Sequence, residues 1–309
     1  MIQFALNIPL ARLLPSPAGS LATIRRATQA LEAAGADAAL TSEHPAPSAH
    51  WLHSDAAGHD CVDPLVALAF VAAASERLRI FTNVLVLPYR NPFLTAKAAA
   101  TVQILSDYRL ILGIGTGYQK EEFDALGVPF NERGPLTDEA LETIRLAWRG
   151  GAVVKKGRHF DAVGNEPRPI PDPAPPIWVG GGSDKALARA ARWGDGWAPY
   201  FSVPTSDPVV RKSAVVSVEH FGEKVTTLRA MREQMGRSQP FDVAVAPLFR
   251  PRTADHASAT RFLDDIHELV SRGASWIWTS LPGASLEAYV DIVNWFGEEV
   301  ISVYRRLSA

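Results

Sequence analysis

The chain is short of several things that would simplify its reading. It holds a single cysteine, Cys61, so no internal disulfide can form and nothing calls for an oxidising compartment. No uncharged apolar run reaches the roughly 18–20 residues needed to span a bilayer. There is no long basic block and the formal net charge is -2, which leaves no electrostatic footprint for nucleic acid or an anionic membrane. The N-terminus, MIQFALNIPLARLLPSPAG, is apolar but has no basic residues ahead of its apolar stretch. It reads as a first strand rather than a signal peptide, and a cytoplasmic location is the expectation. A P-loop, a nucleophile elbow and a Ser/His/Asp arrangement are all missing. Even the glycine run LILGIGTGYQKEEF (110–123) fails as a dinucleotide fingerprint: the third glycine would fall on Tyr118 counted from Gly113, and on Lys120 counted from Gly115.

What is present is a rhythm. The chain has 309 residues, 47% of them apolar and 21% charged, enough for a large core. Short β-like runs alternate with helical patterns: strands at 3–10, 37–44, 78–87, 109–117, 177–182, 196–200, 241–249 and 275–281, helices at 20–35, 63–76, 91–105, 137–150, 183–194, within 218–236, 258–272 and 285–307. Thr137 is the expected cap of the fourth helix. Residues 151–176 break the pattern with a possible small hairpin (VVKKGRHF) and a proline-rich connector. Eight β–α pairs in this length predict one (β/α)8 barrel over 1–309, α/β in class, with an insertion around 151–176.

Such a barrel carries its chemistry at the C-terminal ends of the strands. Those ends include Asn7–Pro9, Glu43–His44, Asn83–Leu87, Thr116–Tyr118, Gly180–Ser183, Trp197–Tyr200, Pro247–Arg250 and Thr279–Pro282. At Gly113, Gly115 and Gly117 the missing side chains let a flat ligand, or the chain itself, come close. Gly180, Gly181 and Gly182 leave a strand and deliver Ser183 and Asp184 to a helix start, where amides, dipole and hydroxyl form an anion cradle; Asp184 argues against an anion unless it turns back to cap the helix. His44 stands where a proton is moved near neutral pH. After it comes a long loop with His50, His53 and His59 among Asp55, Asp60 and Asp63, but the histidine spacings of six, three and six match no zinc motif, and no catalytic metal is expected. Trp51 in this loop is a candidate lid residue. Glu121 and Glu122 read as an exposed helical pair. Glu132 and Arg133 are expected to pair with each other or with the barrel rim.

Four segments in order, LTSEH (40–44), RIFTNVLVLPYRNPFLTAKAAATVQILS (79–106), RLILGIGTGYQKEEFDALGVPFNERG (109–134) and PPIWVGGGSDKALARAARWGDGW (175–197), resemble the bacterial luciferase-like family of flavin- and deazaflavin-dependent oxidoreductases. The likeness runs from the first strand to about residue 200 and then thins to barrel periodicity. The form G-x-G-x-G-[aromatic]-x-x-E-E-F looks most like the branch using coenzyme F420, with Tyr118 where that branch usually has Trp. The resemblance implies a non-prolyl cis peptide at Asn83–Val84 behind the cofactor ring, Thr116, Gly117 and Tyr118 near the ring, Gly180–Ser183 on the phosphate, and His44 handling the proton that accompanies hydride transfer. Some of those enzymes carry a carboxylate where this chain has Tyr118, which argues against a sugar-phosphate dehydrogenase.

The implied activity is hydride transfer between F420 and a small, partly apolar organic substrate, for which Glu43, Trp51 and Trp197 are the candidate contacts. Homodimers are common in the family, and a separate F420 or flavin reductase system would renew the cofactor. An FMN-dependent two-component monooxygenase is the alternative. An inactive flavin-binding barrel and a metallohydrolase are the readings from other classes.

Overall fold

The structure is a computed structural model and describes residues 2–14, 17, 19–53, 60–201 and 208–308. Eight parallel strands close on themselves. They are β1 (Gln3–Asn7), β2 (Ala38–Thr41), β3 (Arg79–Thr82, resumed at Leu85–Val86), β4 (Leu110–Gly115), β5 (Ile177–Gly180), β6 (Gly196–Ala198), β7 (Asp242–Val245) and β8 (Trp276–Thr279). Each pairs with its neighbours in chain order, β8 pairs back onto β1 through Ala5 and Trp278, and β3 meets β4 through Ile80 and Leu110. This is the expected eight-stranded barrel.

The strands alternate as a closed sheet requires. Phe4, Ile80, Ile177, Trp197 and Ile277 face the helices, and Ala5, Leu40, Phe81, Trp178, Trp276 and Trp278 fill the interior. The interior is strongly aromatic: Trp178 meets Trp276 edge-on at 5.2 Å and Phe81 at 4.9 Å. Gly113 belongs to this packing. A Cβ there would lie 2.1 Å from the Thr82 carbonyl oxygen and 2.4 Å from the Phe81 ring.

The outer layer is α1 (Ser20–Ala33), α2 (Pro64–Ala73), α3 (Pro92–Leu105), α4 (Arg133–Arg149), α5 (Asp184–Trp193), α6 (Val218–Gln234), α7 (His256–Ser271) and α8 (Leu286–Phe296), the last prolonged by a π turn and Ser302–Leu307. Sequence-local caps start most of them: Asp63 accepts from the Val66 amide before Pro64, and Asn91 from the Phe93 amide before Pro92. One boundary differs from expectation. α4 starts at Arg133, and Thr137 is a buried interior residue whose hydroxyl donates to the Arg133 carbonyl at 2.7 Å. Pro135 lies in the first turn, where its missing N–H has no intrahelical partner to lose, so it does not stop the helix.

The insertion contains an antiparallel hairpin of Val153–Lys155 and Ala162–Asn165. Glu139 on α4 holds it by accepting from the His159 and Phe160 amides. Glu132 and Arg133 do not pair with each other: Glu132 meets Arg158 of the hairpin at 2.7 Å, while Arg133 lies 3.9 Å over the Phe130 ring. Among the described residues no helix is long and apolar enough to cross a membrane.

Candidate active site

The ends of β2, β3 and β4 form one side of the barrel mouth. The Asn83–Val84 peptide in the break of β3 is cis. Val84 directs its methyls at two glycines: a Cβ on Gly115 would lie 2.7 Å from Val84 Cγ2, and one on Gly180 would lie 3.1 Å from Cγ1. Gly117, at φ +74°, meets Val86 and Phe123 in the same way. The glycine run therefore makes room for the bulged neighbouring strand, the second of the two uses considered for it.

Glu43 serves the same bulge. Its carboxylate accepts the Val86 amide at 2.6 Å and pairs with Arg90, which also reaches Asp63 at 2.7 Å. Burial pushes the Glu43 carboxyl up, with the Arg90 charge opposing it. Among described residues this carboxylate is committed to the scaffold, so Glu43 brackets the strand end instead of facing a substrate. Arg90 has no counterpart in the sequence reading; its only signal was a charge inside the apolar run VLVLPYRNPF.

His44 is nearly buried, its side chain 8% exposed. Its ring lies between two aromatic neighbours, Trp51 at 4.3 Å and Tyr118 at 5.9 Å edge-on. Nδ1 is 3.3 Å from Glu122 Oε2 and 2.9 Å from the Gln119 amide group. Glu122 also accepts from the Tyr89 hydroxyl at 3.0 Å and the Ala46 amide at 3.3 Å. Burial and the adjoining Glu122 charge push the Tyr89 phenol well up, so it remains a donor. The carboxylate beside Nδ1 selects the tautomer with its proton there. That assignment requires the Gln119 amide to present its oxygen, not its nitrogen, to the ring.

Glu122 corrects the sequence reading. Glu121 is exposed, but Glu122 is 1% exposed and central to the site. On the short helix Lys120–Ala125 it shares a face with Gln119 and lies next to buried Phe123. Helical spacing from Gln119 was the signal that pointed inward.

Across the mouth, Ser183 caps α5 by accepting from the Ala186 amide at 3.3 Å. Gly181 has φ +90°, and a Cβ on Gly182 would lie 2.8 Å from Val215 and 3.0 Å from the Ser213 carbonyl. The Asp184 and Lys185 amides are first-turn donors without intrahelical acceptors. Asp184 neither caps the helix nor faces the turn: it is exposed and pairs with Lys224 at 2.6 Å. Trp197 also departs from expectation. It faces the helix layer, stacks on Phe221, and donates its indole N–H to the Gly181 carbonyl at 2.7 Å. The strand alternation that aims Ala198 inward aims Trp197 outward, so it braces the glycine turn.

Of the loop histidines, His50 and His53 are exposed, and His59 and Asp55 lie outside the described residues. Among the described residues no three His, Cys, Asp or Glu side chains are placed to hold a metal. Ser42 lies 3.1 Å from the Cys61 sulfur, whose thiol burial pushes up to about 11.

The luciferase-like monooxygenase family profile matches residues 3–274, well past the point where the sequence likeness thinned. An uncharacterised protein of Mycobacterium tuberculosis is 33% identical over 191 residues, 62% of this chain and 61% of that protein. An F420-dependent glucose-6-phosphate dehydrogenase of Nocardia farcinica is 33% identical over 168 residues, 53% of this chain and 48% of the enzyme. The chain thus aligns with less than two thirds of the length of these relatives. Among solved structures, a monooxygenase from Streptomyces bottropensis superposes with a TM-score of 0.78 at 18% identity, covering 98% of this chain and 100% of that one. The F420-dependent tetrahydromethanopterin reductase from Methanopyrus kandleri gives 0.74 at 16% identity, covering 98% and 99%. Those two likenesses concern the fold. The extent of the profile match shows the family: the chain belongs to the luciferase-like monooxygenases.

Proposed function

We propose that this luciferase-like family member is an F420-dependent oxidoreductase acting on a small, partly apolar organic substrate. The observation that carries the reading is the juxtaposition on one barrel rim of a held histidine and a glycine turn feeding a helix start. The turn fits a phosphate group: its glycines occupy positions that a Cβ would crowd, and the nearby Asp184 carboxylate is turned to Lys224. Gly180–Ser183 would hold the phosphate, and Asn83–Val84 with Thr116, Gly117 and Tyr118 would line the ring. F420 supplies two-electron hydride chemistry and little reactivity toward oxygen.

The protein's own contribution is to orient and to move a proton. Glu122 keeps the Nδ1 proton of His44, so Nε2 is the ring nitrogen with an acceptor lone pair. In the oxidative direction the substrate's C–H hydrogen leaves with its electron pair, and the accompanying proton passes to Nε2. In the reductive direction His44 returns that proton. Trp51 and Tyr118 hold the imidazole plane and keep water from it.

The glucose-6-phosphate dehydrogenase relatives support F420. Tyr118, in place of the usual Trp, favours the second reading, an FMN-dependent two-component monooxygenase. Either would work in the cytoplasm with a separate F420 or flavin reductase system. A homodimer is proposed through the outer faces of α2 and α3, where Val66, Phe70 and Leu94 are exposed; Phe70→Lys should then sediment as a monomer.

Fluorescence titration with F420 and, separately, FMN tests the reading. Micromolar F420 binding, weakened at least about tenfold by Ser183→Asp, is the expected result. FMN binding without F420 binding transfers the assignment to the monooxygenase, and binding of neither overturns both and supports a barrel that has lost its activity and serves as a carrier.

A further inference from the structure

The other side of the mouth holds a cation that has no counter-ion among the described residues. Arg250 follows β7, and its guanidinium carbon lies 5.7 Å from the ring centroid of Trp278. Trp278 points into the barrel with Leu40, Ala198 and Ala246. Arg250 is half-buried, yet it makes no hydrogen bond or ion pair with any described residue. Arg133 and Arg232, which also lie over aromatic rings, each donate to backbone carbonyls. The Trp278 ring is 8% exposed, and its buried indole N–H has no acceptor among the described residues.

Among the described residues, the acids named at the mouth are taken by other partners. Glu43 and Asp63 are paired with Arg90, and Glu122 is taken by Tyr89, His44 and Ala46. A guanidinium laid over an indole keeps its N–H edge available, and that edge matches a planar carboxylate through two parallel bonds. Leaving such donors unmatched inside a partly dry mouth is costly, and an acceptor carried by the ligand removes the cost. The small neighbours Ala198 and Ala246 leave the Trp278 ring as an apolar floor beside the cation.

We infer that the substrate carries an organic oxyanion, a carboxylate on a partly apolar body, and that Arg250 over Trp278 forms the subsite that takes it. This deepens the proposed function, because it rests on that reading of the barrel mouth as the substrate site.

The test compares three phenyl-bearing probes on the purified full chain by isothermal titration: the isosteric pair 3-phenylpropionate and 3-phenylpropionamide, and phenyl phosphate. The expected result is that the acid binds at least about tenfold tighter than the amide. Arg250→Met should erase that preference and Arg250→Lys should keep part of it, with circular dichroism unchanged in both. Equal binding of acid and amide, or a preference that survives Arg250→Met, overturns the inference. Arg250-dependent binding of phenyl phosphate alongside the acid supports a general oxyanion subsite; binding of the phosphate alone overturns the carboxylate assignment. Titrating F420 and FMN into the same samples separates the two claims. Loss of cofactor binding in the unaltered protein defeats the proposed function, whereas the acid–amide comparison reads Arg250 without any cofactor.

Discussion

The two sides of the barrel mouth are built from different materials. At the ends of β2, β3 and β4 the carboxylates Glu43, Asp63 and Glu122 each have an internal partner: Glu43 with Arg90, Asp63 with Arg90, Glu122 with His44 and Tyr89. At the ends of β5 to β8 the described lining is mainly glycine, alanine and tryptophan, and Arg250 has no acid among the described residues. Committed charges give fixed geometry, because each group is held from more than one direction and moving it would strand another in a poor dielectric. Unmatched donors over an apolar floor give readiness for a ligand. On the proposed reading one side moves a proton and the other recognises the substrate, and the two can be broken separately.

The largest effect should come from the committed side. Arg90→Met leaves the Glu43 carboxylate buried against Val86 with no cation, and should destabilise the fold by about 3–5 kcal/mol in urea unfolding. A loss under 1 kcal/mol would mean that the bracket around the cis Asn83–Val84 segment is not structural. Next is Glu122→Gln. It keeps the shape but removes the carboxylate that selects the Nδ1 tautomer, and should slow turnover roughly 10- to 100-fold, the range for partners that act through another side chain. Nitrogen-15 NMR of the imidazole should show the Nδ1–H form in the native protein and a mixture in the variant. An unchanged tautomer with slowed turnover would assign Glu122 to scaffolding alone.

On the receptive side the effects should be smaller. Trp197→Phe removes the bond to the Gly181 carbonyl while keeping the stack on Phe221, and should cost about 1 kcal/mol of stability. Cofactor affinity should fall with it if the turn holds the phosphate. Smallest is the response of Cys61, back on the committed side. Burial raises its folded pKa to about 11, so the fold favours the protonated thiol. That contribution is fully present below the ordinary thiol range and is lost as pH rises through about 11. At pH 8 the thiolate fraction is on the order of 0.1%, so iodoacetamide should label the folded chain far more slowly than the unfolded one. Equal labelling rates would show the thiol to be open.

The barrel itself was legible from the amino-acid order. Eight alternations of period, Asp63-Pro64 and Asn91-Pro92 at helix starts, and Ser183 after three glycines all act within a few residues, and local periodicity reports them. His44 was legible too, since barrel strands deliver their ends to one face. What the sequence could not reveal is which side chain is committed to which partner. His44 and Glu122 are 78 positions apart, and Glu43 and Arg90 are 47 apart. Whether Glu122 is exposed or buried, whether Trp197 braces a turn or lines a pocket, and whether Gly115 admits a ligand or Val84 depend on closure of the barrel. Helical and strand propensities are written in neighbours along the chain. Burial and pairing of charges are properties of neighbours in space, and only the tertiary structure decided those.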